Sequence, residues 1–396
     1  MSEGRAGIRA TPGTDRPYAS ENAGPGTGGH TGAPPGAWAL GPAHPVVTAA
    51  RGASGVAVAL RHGHRRAVVT YGRTAREGGA PVTADTRFEI GSLTKCLTAL
   101  LFAERVARGE VAPGDPLTRF LPPEAVPEPR GGPVTLLHLA THTSGLPRLP
   151  PGLFARATGR WLSNPYARFD TDDLLDALAR TRLRARPGER MRYSNFGVAL
   201  LGHLLTGTGE ARTADGTAPY GDLLAARVLD PLGLYGTSCV PGPPGSTATG
   251  YGHGGARPPW EIPGLPGAGA VRSTARDLLT LLDAHLEARP GAPPGTREAA
   301  APIPLRAALA DVTRPRLAVR GGARRLALVW NIRVRPGGDV YHHSGGTSGF
   351  TAFAGFCPRR GTALAALANT TPDAGHRFVQ SAYEALLALG ARADDP

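Results

Sequence analysis

The segment EIGSLTKCLTALLFAERVARGE, residues 89–110, holds the only lysine of the chain, Lys95. All the other basic residues among its 44 lysines and arginines are arginine. Lys95 follows Ser92 by three positions. Leu93, Leu97, Leu100, Leu101 and Val106 recur at the spacing of a packed helix, with Ser92 at its start and Gly109 as its stop. On such a helix Ser92 and Lys95 share one face. A serine hydroxyl is a poor nucleophile until a neighbour takes its proton. A lysine whose pKa is lowered by burial or nearby positive charge does this; an arginine stays protonated. A coding bias towards arginine therefore spares a lysine where the free base is needed. With 13 serines in 396 residues, chance seldom sets a lone lysine three places after one. The helix start adds free N–H groups and a positive dipole beside the hydroxyl.

Outward from this helix, GVAVALRHGHRRAVVTYG (55–72) predicts two strands about a polar turn at 61–64. Residues 1 to about 40 are rich in Gly, Pro, Ser and Thr and read as a disordered tail. From about 115 to 300 the pattern is helices and long loops. Helices are expected over 134–147, 171–181, 195–207, 220–233 and 273–288, with Asp172 and Ser273 or Thr274 near helix starts. Strands are expected over 321–334, 349–358 and 361–371, then a closing helix over 372–392. Strands, helices, strands, helix in that order predict an antiparallel sheet drawn from both chain ends around a helical insertion. The boundaries are a domain over 41–396, its α/β lobe from 41–115 and 301–396, and its helical lobe from 116–300.

Two further clusters carry chemistry. In PGERMRYSNFGVALLGHLL (187–205), Tyr193, Ser194 and Asn195 precede an apolar helix. A phenol beside a cationic amine ionises more readily and serves as a base, and Asn195 offers an amide to a carbonyl or to Lys95. Packing of Tyr193 and capping by Asn195 would explain the same residues. In YHHSGGTSGFTAFAGF (341–356), His343, Ser344, Gly345 and Gly346 precede an alternating strand. Glycines there let a substrate lie against backbone N–H groups; a plain glycine turn is the alternative.

Composition excludes several classes. The net charge of +13 is spread over scattered arginines, and aromatics are only 6%, too few for a base-stacking platform. A solvated arginine-rich surface is expected rather than nucleic-acid binding. Cys96, Cys239 and Cys357 are far apart and suggest neither a disulfide framework nor a metal site. The first 38 residues lack the apolar core of a signal peptide and no run is long enough to span a membrane, so the sequence reads as cytoplasmic. His138 and His142 stand four apart, but the glutamate of H-E-x-x-H is missing. His62, His64 and His342 read as surface or turn residues. No G-x-S-x-G elbow, phosphate loop or dinucleotide fingerprint is present.

SLTK, YSN and HSG, in this order and spacing, resemble the motifs of the penicillin-recognising serine hydrolases: class C β-lactamases, D-alanyl-D-alanine carboxypeptidases and related esterases. The segments VTLLHLATHTSGLP, LDPLGLYGTS and GAGAVRSTARDLL are similar to family segments too, and the likeness covers about residues 50–390. The resemblance implies the α+β, β-lactamase/transpeptidase-like fold, with an antiparallel sheet flanked by helices plus a mostly helical lobe. It implies Ser92 as nucleophile, Lys95 as proton acceptor or relay, and Tyr193 as shuttle to the leaving group. Asn195, His343, Ser344, Gly345 and Gly346 would bind substrate, with the N–H groups of Ser92 and Gly346 as oxyanion hole. No cofactor, metal or macromolecular partner is implied, only a small-molecule ester, amide or β-lactam. A binding or sensor module on the same fold is the rival reading. One departure stands out: many family members carry Lys-Thr-Gly where this chain has His343-Ser344-Gly345. An imidazole, mostly neutral at pH 7, replaces a fixed cation, which weakens the expectation of an efficient β-lactamase.

Overall fold

The computed structural model describes residues 18–21, 36–157, 159, 163–207, 219–288, 301–319 and 322–391. The predicted hairpin forms as β2 (Gly55–His62) and β3 (Arg65–Gly72), closed by Gly63 and His64. Strand β1 (Tyr18–Glu21) pairs with β3 at the sheet edge. Two short ladders lie apart from the main sheet: β4 (Arg87–Glu89) with β7 (Arg272–Thr274), and β5 (Gly250–Gly252) with β6 (Gly255–Arg257). The C-terminal part supplies β8 (Leu317–Val319), β9 (Arg324–Leu326), β10 (Asn331–Arg333), β11 (Val340–Gly346), β12 (Thr351–Cys357) and β13 (Thr362–Ala368). The order β1-β3-β2-β13-β12-β11-β10-β9-β8 makes one antiparallel sheet of nine strands. The two chain ends join where Leu60 of β2 faces Leu364 of β13.

Side-chain alternation assigns the two faces of this sheet. Val56, Val58 and Leu60, with Leu364 and Ala366, pack beneath the helices Ala37–Ala49 and Arg377–Ala391. Ala57, Ala59, Ala352, Ala354, Ala363 and Ala365 face the other core, which holds the helices Thr94–Ala107 and Ala275–Glu287. Alanines on that face let the second helix settle directly on β2, β12 and β13. Strands covered on both faces read as continuous apolar runs rather than alternating ones.

The sequence reading needs several corrections. Inside the segment read as a tail, Tyr18–Glu21 pairs as a strand and a helix already begins at Ala37; the remaining residues before 36 lie outside the described ones. Pro42 and Pro45 disguise that helix, yet Ala39, Ala43 and Val46 bury one face of it. The helix expected over 134–147 spans only Leu136–Ala140, because His142 and Gly145 take positive φ (56° and 76°). Val329 (φ 66°) splits the strand expected over 321–334 into β9 and β10. The helix expected over 220–233 runs Tyr220–Leu224 and then widens, Asp230 N donating five residues back to Ala225 O (2.9 Å). Asp170, not Asp172, caps Thr171–Ala179, and Thr274 caps Ala275–Glu287. His342 is no turn residue: it sits in β11, half-buried between Phe353 and Tyr383. Nor are the arginines all solvated. Arg105 and Arg272 are buried, and Arg61 and Arg66 bind the buried Asp283 at 2.9 Å each, tying the hairpin to Ala275–Glu287. No helix among the described residues is long and apolar enough to cross a membrane.

Asn369, fully buried at the end of β13, ties the sheet to the helical side. Its Oδ1 accepts the N–H groups of Ser54 (3.0 Å) and Gly55 (2.8 Å). Its Nδ2 donates to Ser54 Oγ (2.9 Å) and Thr249 O (2.8 Å). Asn369→Ala strands these groups in the interior and is expected to cost about 3 kcal/mol of unfolding free energy. Urea denaturation measures this; a loss too small to resolve would contradict the role.

Candidate active site

Three pieces of chain converge between the sheet and the helical region. The first is the helix start. Gly91 takes a positive φ (49°), a single turn Gly91–Leu93 follows, and Thr94–Ala107 continues almost wholly buried. Ser92 is half-buried, while Lys95 is only 1% exposed. The Lys95 Nζ donates to Ser92 Oγ (2.9 Å) and to Ala268 O (2.6 Å). The second piece is Tyr193-Ser194-Asn195. Ser194 caps the helix Asn195–Thr206, its Oγ accepting from Gly197 N (2.9 Å) and donating to Pro147 O (2.7 Å). That cap holds Tyr193 just outside the helix, where its hydroxyl donates to Ser92 Oγ (2.8 Å). The helix cap is thus Ser194, and Asn195 stays free to face the cleft, its Nδ2 at 3.5 Å from Tyr166 Oη and its buried Oδ1 without a partner among the described residues.

The third piece is β11, where the sequence left a glycine turn open as an alternative. Its glycines sit against the helix start. A Cβ on Gly345 would lie 1.9 Å from Ile90 O and 3.0 Å from Ser92 N; one on Gly91 would lie 2.6–2.9 Å from the Gly346 backbone. Only glycine permits this approach, because real Cβ contacts at such distances do not occur. Ser92, Asn195 and Gly346 line one cleft with Tyr166, Trp260, Ile262, Leu265 and Ala268.

The electrostatics come from burial. His343 is 4% exposed, and burial first, then Lys95 and the neighbouring His142 and His342, push its pKa down to about 3. Its Nδ1 lies 2.8 Å from Ser344 O. A carbonyl only accepts, so Nδ1 carries the proton and Nε2 is left as an acceptor. Neutral His343 therefore gives a substrate carboxylate no help. His142 is held near pKa 3 in the same way, by burial and then by Lys95. It does not join His138 in a metal pair. His138 Nδ1 caps its own helix by accepting from Thr135 N (3.1 Å), while the His142 ring packs 4.7 Å from that of Tyr193. Among the described residues no group of three or more His, Cys, Asp or Glu is placed to hold a metal ion.

Sequence reasoning brought forward Ser92, Lys95, Tyr193, Asn195, His343, Ser344, Gly345 and Gly346; the structure brings seven of them together, and Ser344 contributes its carbonyl to His343 from β11. It missed Glu89, Tyr166 and Trp260. Glu89, buried, has a pKa raised by desolvation, and its carboxylate accepts from Trp260 N (2.6 Å) and Thr347 Oγ1 (2.7 Å). A carboxylate directly before the S-x-x-K segment and a tryptophan in a proline-rich loop were the available signals.

His142, His285, His342 and His343 all have pKa values lowered to about 3–4, chiefly by burial. Unfolded, they titrate near 6.5. Above that pH both states are neutral and nothing changes. Below it the unfolded chain binds protons that the folded one refuses, so stability falls as pH falls, by up to about 1.4 kcal/mol per pH unit for each histidine. The raised pKa values of Glu89, Asp277 and Asp283, each caused first by burial, act in the opposite sense as pH falls through their folded values. Urea midpoints at pH 7, 6 and 5 should decline, and His343→Gln should flatten the decline. A level profile would contradict the burial argument.

Comparison with known proteins agrees with this geometry. A solved class C beta-lactamase from Rhodobacter sphaeroides superposes with a TM-score of 0.72 at 25% identity, covering 89% of this chain and 99% of that one. The D-alanyl-D-alanine-carboxypeptidase/endopeptidase AmpH of Escherichia coli K12 is 32% identical over 237 residues, 59% of this chain and 58% of AmpH. Esterase EstB of Burkholderia gladioli is 34% identical over 225 residues, 51% of each chain. The chain thus spans little more than half the length of these two relatives. A family model described as Beta-lactamase matches residues 43–389. That stretch runs from the helix beneath the sheet to the helix that closes the chain, and the protein belongs to the Beta-lactamase family.

Proposed function

We propose that this protein is a serine hydrolase that forms an acyl-enzyme on Ser92 with a small ester, amide or lactam. One observation carries the reading: the Ser92 hydroxyl lies within hydrogen-bond reach of both an amine and a phenol, Lys95 Nζ at 2.9 Å and Tyr193 Oη at 2.8 Å. Ser92 Oγ attacks the carbonyl carbon and its proton passes to the Lys95–Tyr193 pair. The carbonyl oxygen gains charge beside the N–H groups of Ser92 and Gly346, and losing one such donor costs about 10²–10³ in rate. The bond to the leaving group breaks as Tyr193 returns the proton to the departing atom. Water then adds to the ester on Ser92, giving its proton to the same pair, and the acid leaves as the serine hydroxyl re-forms. Asn195 orients the substrate from the cleft wall.

Neutral His343 favours ester over lactam within this class. AmpH and EstB, by their names, act as a carboxypeptidase/endopeptidase and as an esterase, so both chemistries belong in the assay. A short-chain nitrophenyl ester should be hydrolysed and a chromogenic cephalosporin turned over poorly; the reverse order would overturn the preference. The cytoplasmic location expected from the sequence is part of this proposal, and cell fractionation tests it.

A fluorophosphonate probe followed by intact mass should add one label, lost in Ser92→Ala. An unlabelled folded protein would instead support a binding module. Lys95→Arg keeps the charge but not the proton acceptor, so it should fold and lose activity by at least about 10³-fold, the scale of losing a positioned base. Full activity in that variant would sink the mechanism.

A further inference from the structure

A second cavity lies on the face of the sheet turned away from the Ser92 helix. Val340, Cys357 and Thr362, at one end of β11, β12 and β13, form its floor, and Leu386 and Leu387 of the closing helix form its roof. Arg335 and Arg360 stand at its rim, the first after β10 and the second in the turn between β12 and β13. Its volume is about 250 Å³, close to the lower end of small-molecule sites. Glycines clear the space for Arg360. A Cβ on Gly337 would lie 1.9 Å from Arg360 Nη2, and one on Gly390 would lie 2.5 Å from Arg360 Cδ. The site is separate from the cleft, at the opposite end of β11 from Gly346.

The polar groups of this cavity are donors in want of an acceptor. Arg360 Nε donates to Gly337 O (3.0 Å), and its Nη1 and Nη2 have no acceptor among the described residues. Arg335 Nε donates to Tyr383 Oη (3.2 Å), its Cζ 5.7 Å from that ring's centroid. Thr362 is fully buried, and its Oγ1 has no partner among the described residues. Such a hydroxyl is costly to leave unpaired, and buried ones nearly always find a partner. The carboxylates of the neighbourhood are turned elsewhere: Asp339 faces Arg325 (3.8 Å), and Glu384 accepts from Gln380 Nε2 (2.8 Å). Two more cations adjoin the cavity without lining it, Arg333 opposite Val340 in the β10–β11 ladder and Arg359 next to Arg360. The local field is therefore positive, above an apolar floor.

A carboxylate accepts from a guanidinium and a hydroxyl at once. An alkyl chain behind it would lie on Val340, Cys357 and Leu386, displacing water from apolar surface. An ammonium head would meet only cations and donors. We infer that this cavity binds a medium-chain carboxylate, its head on Arg360 and Thr362 and its chain between the sheet and the closing helix. The inference stands apart from the hydrolase reading, since it uses no residue of the Ser92 cleft.

Isothermal titration of the whole protein at pH 7.5 with octanoate, butanoate and octylammonium tests it. Octanoate should bind saturably. Each buried CH₂ is worth about fourfold, so octanoate should bind at least about tenfold more tightly than butanoate. Octylammonium should give no saturable binding. Arg360→Met keeps the stem between Gly337 and Gly390 and removes the charge, and should weaken octanoate about tenfold, the scale of a charge-assisted pair. Thr362→Val keeps the shape and removes the hydroxyl. It should weaken octanoate by about threefold or more, while its urea midpoint stays at or above that of the wild type. Arg359→Met, a cation of the same turn outside the lining, should change the affinity by less than about twofold. No saturable octanoate binding overturns the inference, as does equal binding of octylammonium or of butanoate. Affinity unchanged in Arg360→Met and Thr362→Val places the ligand elsewhere and overturns it too. Should Arg360→Met fail to fold, Thr362→Val decides alone. None of these outcomes depends on ester turnover.

Discussion

The contact on which the site depends is backbone against backbone, Gly91 under Gly346 and Gly345 over the Ile90 carbonyl. Without side chains at these positions β11 and the start of the Ser92 helix approach within van der Waals distance. That approach brings Gly346 beside the nucleophile and makes the strand one wall of the cleft. A second tie reinforces it. The Glu89 carboxylate accepts from Thr347 Oγ1 just after the strand, and from Trp260 N across the cleft. Burying this carboxylate raises its pKa, a cost offset by the two hydrogen bonds and the buried Arg272 at 3.7 Å. The helix start, the strand and the cleft loop are thus held as one unit by groups that do no chemistry.

The sheet explains why such a unit persists. Both faces of its central strands are covered, so β2, β12 and β13 are buried nearly throughout. The two ends of the chain meet between β2 and β13, and the site hangs on β11, two strands away. The seam therefore rests on a framework that cannot shift without breaking the β2–β13 ladder. A loop carries Trp260 at the cleft wall, whereas the groups around Ser92 come from a helix start, a capped loop and a strand.

How much of this was legible follows from where the information lies. The hairpin and the Ser92 helix were readable because local pattern and final structure agree. S-x-x-K was readable because Lys95 is the only lysine in the chain. The helix Ala37–Ala49 was not: Pro42 and Pro45 argue against a helix, and only packing against the sheet overrides them. The break at Val329 could not be foreseen either, since a β-branched residue at positive φ defies local preference. His343 was read as a departure from lysine. Its hydrogen bond to Ser344 O, and hence its acceptor-only Nε2, needed coordinates. Tyr166 and Trp260 reach the site only through folding.

The electrostatic design turns on which positive groups can let go of a proton. Arginine cannot, so the many arginines of this chain set fields and bind carboxylates but take no part in transfer. The imidazoles near Tyr193 are buried deeply enough to remain neutral, and their hydrogen bonds fix them as acceptors or packing groups. That leaves the amine and the phenol that flank Ser92. Adding a permanent cation at the β11 position would place like charge close to Lys95, the same interaction that already depresses His343. A neutral residue there adds no such charge, so burial against Ser92 and Ala268, rather than a neighbouring cation, is what sets this amine apart from the arginines.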